Sequence, residues 1–138
     1  MRGWLKIWLL ASITSAALEA VSRLSRFEVQ GPSMEPSIAA GDRLLVVRTS
    51  RIRPGDAVVA KDPREPSRTI VKRAAAVENH RVYLLGDNSG SSTDSREFGW
   101  VDRLSVLGRV CYRYSPPARA GRIPNRYSNG GVLEPRGG

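Results

Sequence analysis

The chain has 138 residues, 41% of them hydrophobic, and a formal net charge of +9. This length can bury one modest core and excludes a two-domain architecture. With a single cysteine and a single histidine, the chain cannot form an internal disulfide and offers no ligand set for zinc. We therefore expect neither a metal nor another cofactor.

The positive charge fits two kinds of partner. Basic side chains are attracted to anionic lipid headgroups and to the phosphates of nucleic acid. However, the arginines are scattered along the chain, only 7% of the residues are aromatic, and no nucleic-acid-binding motif is present. We therefore expect a lipid membrane, and not nucleic acid, as a partner.

Residues 1–26 are predicted to form an apolar helix that anchors the chain to a membrane. The most apolar window, residues 7–18, would rise only about 18 Å as a helix, against a hydrocarbon core of about 30 Å. Extension to residues 4–21 approaches a full span. An uncleaved anchor is the first interpretation; a helix on a surface or against the core, and a cleaved signal sequence, stay open. Arginines flank both ends, so charge does not set the orientation.

A serine between two prolines follows this segment, in the sequence GPSMEPS at residues 31–37. Pro32 and Pro36 fix the backbone φ angle around Ser33, so its hydroxyl would be held in place. A serine hydroxyl becomes a nucleophile only beside a base. The question is therefore which base the chain supplies.

Two side chains are candidates for that base. His80 lies in a polar turn between apolar runs, where an exposed loop histidine is expected, so a Ser-His-Asp triad is poorly supported. Lys72 follows a β-branched run and precedes three alanines, as in a buried strand. Burial lowers a lysine pKa, and a lysine tuned in this way can take a proton from serine. A solvent-facing strand lysine is the alternative.

Residues 27–115 are predicted to form one mainly β domain. Short apolar runs alternate with tight turns and no helical pattern intervenes, which excludes an α/β layer fold. Candidate strands lie at residues 44–47, 57–60, 69–71, 82–85 and 107–112. The last of these contains Cys111, which we expect to be a buried structural thiol. Residues 116–138 are rich in Pro, Gly and Arg and are predicted to be disordered.

The loop that follows residue 85 is dense in small hydroxyl and acidic residues, in the sequence GDNSGSSTDSR. Taken alone, these residues are typical of a solvated turn. In combination with the two earlier segments, the loop becomes specific, because it would bring hydroxyl and carboxylate groups to a serine and a lysine.

The segments GPSMEPS, GDRLLVV, VKRAAA and LLGDNSGSSTDSREFGWV occur in this order. They resemble the successive sequence boxes of the type I signal peptidase family of serine proteases, over residues 29–110. The resemblance implies a signal peptidase/LexA-like antiparallel β-sheet domain with an N-terminal helical anchor. It also implies an endopeptidase that removes N-terminal leader peptides from precursor proteins at a membrane.

The resemblance assigns roles to five residues. Ser33 would be the nucleophile and Lys72 the general base. Ser92 would orient the lysine ammonium, and Asp94 with Arg96 would form a supporting ion pair. A protonated lysine has three N–H donors to satisfy, which gives a physical reason for a hydroxyl beside it.

Four further residues are predicted to contact the substrate. An extended peptide would add as a strand near Gln30, Gly31 and Pro32, and Met34 would pack near the substrate pocket. Some family members carry a serine at the position of Gly31 whose hydroxyl assists the oxyanion; here backbone or water must supply that donor. The family's preference for a small-x-small pattern before the scissile bond is implied by the resemblance alone.

Three alternatives stay open at this stage. The short segment 73–86 and the sequence STDSREFG are similar to the nickel-type superoxide dismutase maturation proteases, a branch that would trim a single precursor leader in the cytoplasm. A LexA-type self-cleaving repressor shares the Ser/Lys pair, but only about thirty largely apolar residues precede Ser33, too few for its DNA-binding domain. A non-catalytic adaptor with the same fold is the third alternative.

Overall fold

The computed structural model describes residues 2–127 and consists of one helix followed by a β domain. A second, four-residue helix lies between the fifth and sixth strands. The elements are α1 (Arg2–Ser22), β1 (Leu24–Glu28), β2 (Arg43–Val47), β3 (Ala57–Asp62), β4 (Glu65–Val77), β5 (Arg81–Leu85), α2 (Ser95–Phe98), β6 (Val101–Asp102), β7 (Val106–Ser115) and β8 (Gly121–Arg122).

All eight strands belong to one antiparallel sheet. Its order is β1-β2-β7-β3-β4-β5-β6, and β8 pairs with β7 outside this path. Each strand therefore reaches its neighbour through a hairpin or a longer return, without the crossover helices of a parallel sheet. The predicted fold class, a mainly β domain with an N-terminal helix, is confirmed.

The core lies on both sides of β3, which is why the sequence AVVA is continuously apolar. Val59 packs in one hydrophobic cluster with residues that include Met34 and Leu44, while Val58 packs in a second cluster with residues that include Val82. Neighbouring side chains on a strand point to opposite faces, so a central strand covered on both faces has no polar side.

Two strand edges that bear on the site have no strand partner within residues 2–127. β1 is an end strand that pairs only with β2. β4 pairs with β3 from Glu65 to Arg73, but with β5 only from Arg73 onwards. The outer edge of the first half of β4 is therefore left open. Unpaired edges present backbone N–H and C=O groups to which an extended chain can bind.

The helix α1 projects from the β domain. It ends at Ser22, four residues before the predicted limit, because Leu24 already pairs with Val47 in the sheet. Its side chains from Gly3 onwards are exposed. The stretch Gly3–Ser22 has a mean hydropathy of 1.3 over an 18-residue window, and its 20 residues are long and apolar enough to cross a membrane, since they rise about 30 Å. The helix does not pack against the core.

The prediction that residues 116–138 are disordered is wrong for the first part of this segment. Residues 117–119 form a turn of 3₁₀ helix, β8 pairs with β7, and Ile123 packs against the core. A single apolar anchor and two strand residues give no periodic pattern in the sequence, which is why this segment looked unstructured. Residues 128–138, the rest of the predicted tail, lie outside the described residues.

Candidate active site

A groove of about 380 Å³ runs along the open edge of β4. One wall is the end of β1 and the loop that follows it, and the other wall is β4 from residue 68 to residue 72. Ser33 and Lys72 both line this groove. The structure therefore brings the two residues singled out from the sequence to one site, although no hydrogen bond joins their side chains.

Ser33 lies in a tight loop that is held from two directions. The Glu35 N–H donates to the Pro32 carbonyl at 3.1 Å, which closes the turn. The Asn88 N–H donates to the Ser33 carbonyl at 2.9 Å, and the Asn88 side-chain amide donates to the Pro32 carbonyl at 3.1 Å. Within residues 2–127 the Ser33 N–H has no acceptor of its own, so this donor faces no competition from the described protein.

Lys72 is buried on β4, with 4% of its surface exposed. Its Nζ donates to the Ser92 hydroxyl at 2.9 Å. Burial lowers the pKa of Lys72 below its ordinary value, because the charged ammonium loses hydration; the nearby carboxylate of Asp94 opposes this effect without cancelling it. The lysine is therefore easier to deprotonate than one in water. The solvent-facing alternative does not hold.

Ser92, Asp94 and Arg96 continue the chain of hydrogen bonds from Lys72. The Ser92 hydroxyl donates to Asp94 Oδ2 at 2.8 Å, and Arg96 donates to both carboxylate oxygens of Asp94, at 2.8 and 2.9 Å. Burial alone would raise the pKa of Asp94, but the bonds from Arg96, the Gly86 N–H and Ser92 hold it well below its usual range. Asp94 is thus a fixed, fully buried anion.

Gly86 occupies a place where no side chain fits. A Cβ atom built there would lie 2.6 Å from the Ser33 carbonyl oxygen and closer still to the Ser92 hydroxyl. The Gly86 N–H donates to Asp94 Oδ2 at 2.9 Å. Gly86 therefore lets the Ser33 loop and the Ser92 loop approach each other. The sequence marked Gly86 only as part of the GDN motif and gave it no role.

The residues predicted to contact substrate divide into two groups. Gln30, Gly31 and Pro32 are exposed and line the groove. Met34 does not: it is 1% exposed and packs in the core cluster beside β2. The Ile38 N–H donates to the Met34 carbonyl, and this turn directs the side chain inward. We therefore place Met34 beneath the loop and outside the substrate-binding set.

Two groove residues were missed from the sequence. Arg64 and Arg68 line the groove on the side of the β3–β4 hairpin. The predicted strands stop at residue 60 and resume at residue 69, because the run between them is polar, whereas the observed strands continue to a hairpin at Asp62 and Glu65. The clue was the clustering of two arginines four residues apart beside an aspartate.

The remaining candidates lie elsewhere. His80 is exposed in the turn before β5, and it lines a different cavity from that of Ser33. Cys111 is half-buried on β7, where its thiol donates to the Leu45 carbonyl at 3.4 Å. No cluster of three His, Cys, Asp or Glu side chains with metal-site geometry occurs among the described residues.

The comparison with known families agrees with this geometry. A family model described as Peptidase S24-like matches residues 12–111, and the chain belongs to this family. It is a serine-type peptidase. The class predicted from the sequence, a serine protease of the signal peptidase type, is confirmed.

The curated relatives are inner membrane proteases. The chain is 38% identical over 110 residues to mitochondrial inner membrane protease subunit 1 of Xenopus tropicalis, covering 62% of this chain and 66% of the relative. It is 32% identical over 127 residues to the ATP-independent subunit 1a of Arabidopsis thaliana, covering 72% and 76%. For subunit 2 of Danio rerio the values are 28% over 137 residues, 80% and 74%. The chain thus spans about two thirds to three quarters of their length.

Proposed function

We propose that the protein is a membrane-anchored endopeptidase that removes N-terminal leader peptides from precursor proteins. The observation that carries this proposal is a buried lysine, hydrogen-bonded to Ser92, in the same groove as a serine held by its loop. A buried amine of lowered pKa beside a hydroxyl is the chemistry that a Ser/Lys protease needs.

In the proposed reaction Ser33 is the nucleophile and Lys72 the general base. Neutral Lys72 accepts the proton of the Ser33 hydroxyl as Oγ attacks the scissile carbonyl carbon. The resulting ammonium then gives this proton to the departing amine, and an ester on Ser33 remains. Water, deprotonated by Lys72, hydrolyses the ester and restores both residues. Ser92 and the buried Asp94 keep the lysine Nζ in one position through both steps.

The Ser33 N–H is the proposed donor to the oxyanion. It has no acceptor among the described residues, and it belongs to a loop that two bonds from Asn88 hold in place. One preorganised donor of this kind lowers the activation barrier by about 2.7 to 4 kcal/mol. Gly31 adds no side-chain hydroxyl, so a second donor would come from backbone or water.

The substrate is proposed to bind as an extended strand in the groove. The open edge of β4 and the end of β1 face each other across it. Backbone pairing with these edges would hold peptides of varied sequence, while side chains that enter the groove would give selectivity. A linear leader segment fits this arrangement better than a folded domain, because only an extended chain presents its backbone to a strand edge.

The membrane part of the proposal depends on α1. A 20-residue apolar helix whose side chains are exposed has nothing in the β domain to cover it, and a bilayer would cover it. The relatives are named as inner membrane proteases, which supports a general leader peptidase over the nickel-type maturation alternative. The adaptor alternative gives no reason to bury Lys72.

The test is the identification of new N-termini by mass spectrometry. Wild-type protein, Ser33→Ala and Lys72→Arg are each incubated in lipid vesicles with two precursors, one that carries an ordinary secretory leader and one that carries a nickel dismutase leader. We expect one specific cut by the wild type and none by either variant, since Ser33→Ala lacks the nucleophile and an arginine cannot be deprotonated in a protein.

Lys61→Arg is the matched control, because Lys61 is an exposed lysine on the neighbouring strand β3. It should cleave like the wild type. Cleavage by Ser33→Ala would remove Ser33 as the nucleophile, and partial activity of Lys72→Arg would indicate an electrostatic role in place of proton transfer. A cut only in a nickel dismutase precursor would favour the maturation alternative.

A further inference from the structure

The groove carries a pair of arginines that the proposed reaction does not use. Arg64 and Arg68 both line it, and their side chains are 42% and 52% exposed. The proposed dyad and its hydrogen-bonded partners account for the other charged groups that face the groove. These two guanidinium groups therefore need a separate explanation.

Asp62 holds the two arginines in place. Its side chain is fully buried and accepts hydrogen bonds from Nε and Nη2 of both Arg64 and Arg68. Burial alone would raise the pKa of Asp62, but these bonds lower it to about 2, so the carboxylate stays charged. One anion between two cations leaves a net positive charge. Within residues 2–127 neither Nη1 group makes a hydrogen bond.

Other charges lie near this pair. Arg64 is within electrostatic reach of Glu97, and its guanidinium carbon lies 5.9 Å from the centre of the Phe98 ring. Glu97 is exposed and forms no ion pair with Arg64 among the described residues. It reduces the local positive charge without occupying the free Nη1 groups.

The pair lies at a defined distance from the proposed dyad. Arg68 precedes Lys72 by four residues on the same strand, so the two residues point to the same face of β4. Four residues of extended strand span about 13 Å. A peptide paired along this edge would place its fourth or fifth residue from the scissile bond beside Arg68.

Strand topology sets the direction of that peptide. β1 begins at the end of the sheet where β2 and β3 finish and where β4 and β7 start, because each successive pair is antiparallel. The junction with α1 and the β3–β4 hairpin therefore lie at the same end. If α1 spans a bilayer, the membrane is on this side, and the leader segment that emerges from it reaches the hairpin before it reaches Ser33.

We infer that Arg64 and Arg68 form a carboxylate-binding subsite for the leader. The subsite selects precursors with Asp or Glu at the fourth or fifth position before the scissile bond. Among the described residues each arginine keeps its Nη1 group free, so a substrate carboxylate can accept one charge-assisted hydrogen bond from each of them. This inference rests on the proposed function, since it concerns the selectivity of that same groove.

The test compares matched peptides cleaved by the full chain in detergent. Each peptide has the same small-x-small cleavage site and carries Glu, Gln or Lys at the fourth or fifth position before the cut. At one of the two positions, we expect the wild-type kcat/KM for the Glu peptide to be about two- to five-fold higher than that for the matching Gln peptide. This is the size of effect expected for a half-exposed ion pair. The preference should shrink with added salt.

Variants assign the preference to the subsite. Arg68→Gln should cleave the Glu and Gln peptides with about equal kcat/KM, and Arg68→Glu should favour the Lys peptide. Arg81→Glu is the matched control: Arg81 is 44% exposed, pairs with Glu78 and lies over the Trp100 ring, but it is outside the groove. It should keep the wild-type preference.

Two results would overturn the inference. Equal cleavage of the Glu and Gln peptides at both positions by wild type would do so, and so would a preference that persists in Arg68→Gln. Both leave the proposed function intact, because the peptides are still cut. Failure of wild type to cut any of the peptides would instead reject the proposed function, and the subsite with it.

Discussion

The surroundings of Lys72 disfavour its usual charged form. Burial lowers its pKa, the carboxylates of Asp94 and Asp62 raise it, and the guanidinium groups of Arg64 and Arg96 lower it. Lys72, as the proposed general base, must be neutral to act, so the active fraction of the enzyme should grow as the pH rises through the pKa of Lys72. The direction of this dependence follows from the burial of a cation and would be reversed for a buried carboxylic acid.

We therefore predict that kcat/KM rises with pH along a single limb whose midpoint lies below the ordinary lysine pKa. The measurement is a pH–rate profile with a peptide that does not ionise in this range. Arg96→Gln should move the limb to higher pH, because it removes a cation that disfavours the Lys72 ammonium. A profile that is flat from mildly acid to alkaline pH would contradict a titrating base.

Gly86 allows the two loops of the site to meet. We predict that Gly86→Ala reduces kcat by at least about ten-fold, because the new methyl group would push the Ser33 carbonyl and the Ser92 hydroxyl apart and small displacements of reacting groups are costly. Gly90→Ala is the control: a Cβ there meets nothing within 4 Å. Similar kinetics in the two variants would show that the close approach at Gly86 has no effect on turnover.

Sequence reasoning found the elements that carry strong local patterns. β2, β3, β5 and β7 are apolar runs or alternating strands, and their predicted ranges lie within the observed ones. β1 was missed because its residues, LSRFE, are mostly exposed and have no apolar alternation. The first half of β4 was missed for the same reason. These segments face the groove and have open edges, so the packing that would mark them in the sequence is absent.

The residues of the site also divide into those that the sequence pointed to and those that it did not. Ser33 and Lys72 could be singled out because a serine between prolines and a lysine within a buried strand are chemically unusual. The positions of Gly86 and Asn88 depend on contacts between loops more than fifty residues apart, and a single sequence does not reveal such contacts. Met34 was assigned to the pocket from its neighbour in the chain, although successive residues of a turn can point in opposite directions.

A buried ion pair ties β4 to the loop after β5 and to the chain beyond β8. Arg73 donates to Asp87 at 2.7 Å, with side-chain exposures of only 5% and 3%. Arg73 also donates to the carbonyls of Gly55 and Pro124, and Arg126 binds Asp87 from outside at 2.9 Å. Asp87 directly precedes Asn88, which holds the Ser33 loop. The pair thus links the stability of the sheet to the position of the proposed nucleophile.

We predict that Asp87→Ala lowers the free energy of unfolding by about 3 to 5 kcal/mol, because Arg73 would be left buried without its partner. Arg126→Ala should cost no more than about 1 kcal/mol, since Arg126 is 48% exposed. Urea unfolding of both variants in one detergent measures the difference. Equal losses would mean that the outer partner contributes as much as the buried one.

The whole molecule is a β domain with a helix that contributes little to its packing. α1 is exposed from Gly3 onwards, and the strand pairing of the β domain begins only after the helix, at Leu24. The groove, the proposed dyad and the buried ion pairs all lie after residue 26. The proposed active site and the proposed membrane anchor are therefore separate parts of the structure.

Removal of residues 2–22 should for this reason leave the unfolding midpoint nearly unchanged, since an exposed helix stabilises little by burial. The kcat/KM for a short soluble peptide should stay within about two-fold of the full chain's value. Cleavage of a precursor embedded in vesicles should instead fall by at least about a hundred-fold, because a shared bilayer raises the effective concentration of enzyme and leader. The two assays are run on the same preparations. If peptide cleavage falls as steeply as precursor cleavage, α1 supports the fold of the site; if neither falls, the helix is not what brings the enzyme to its substrate.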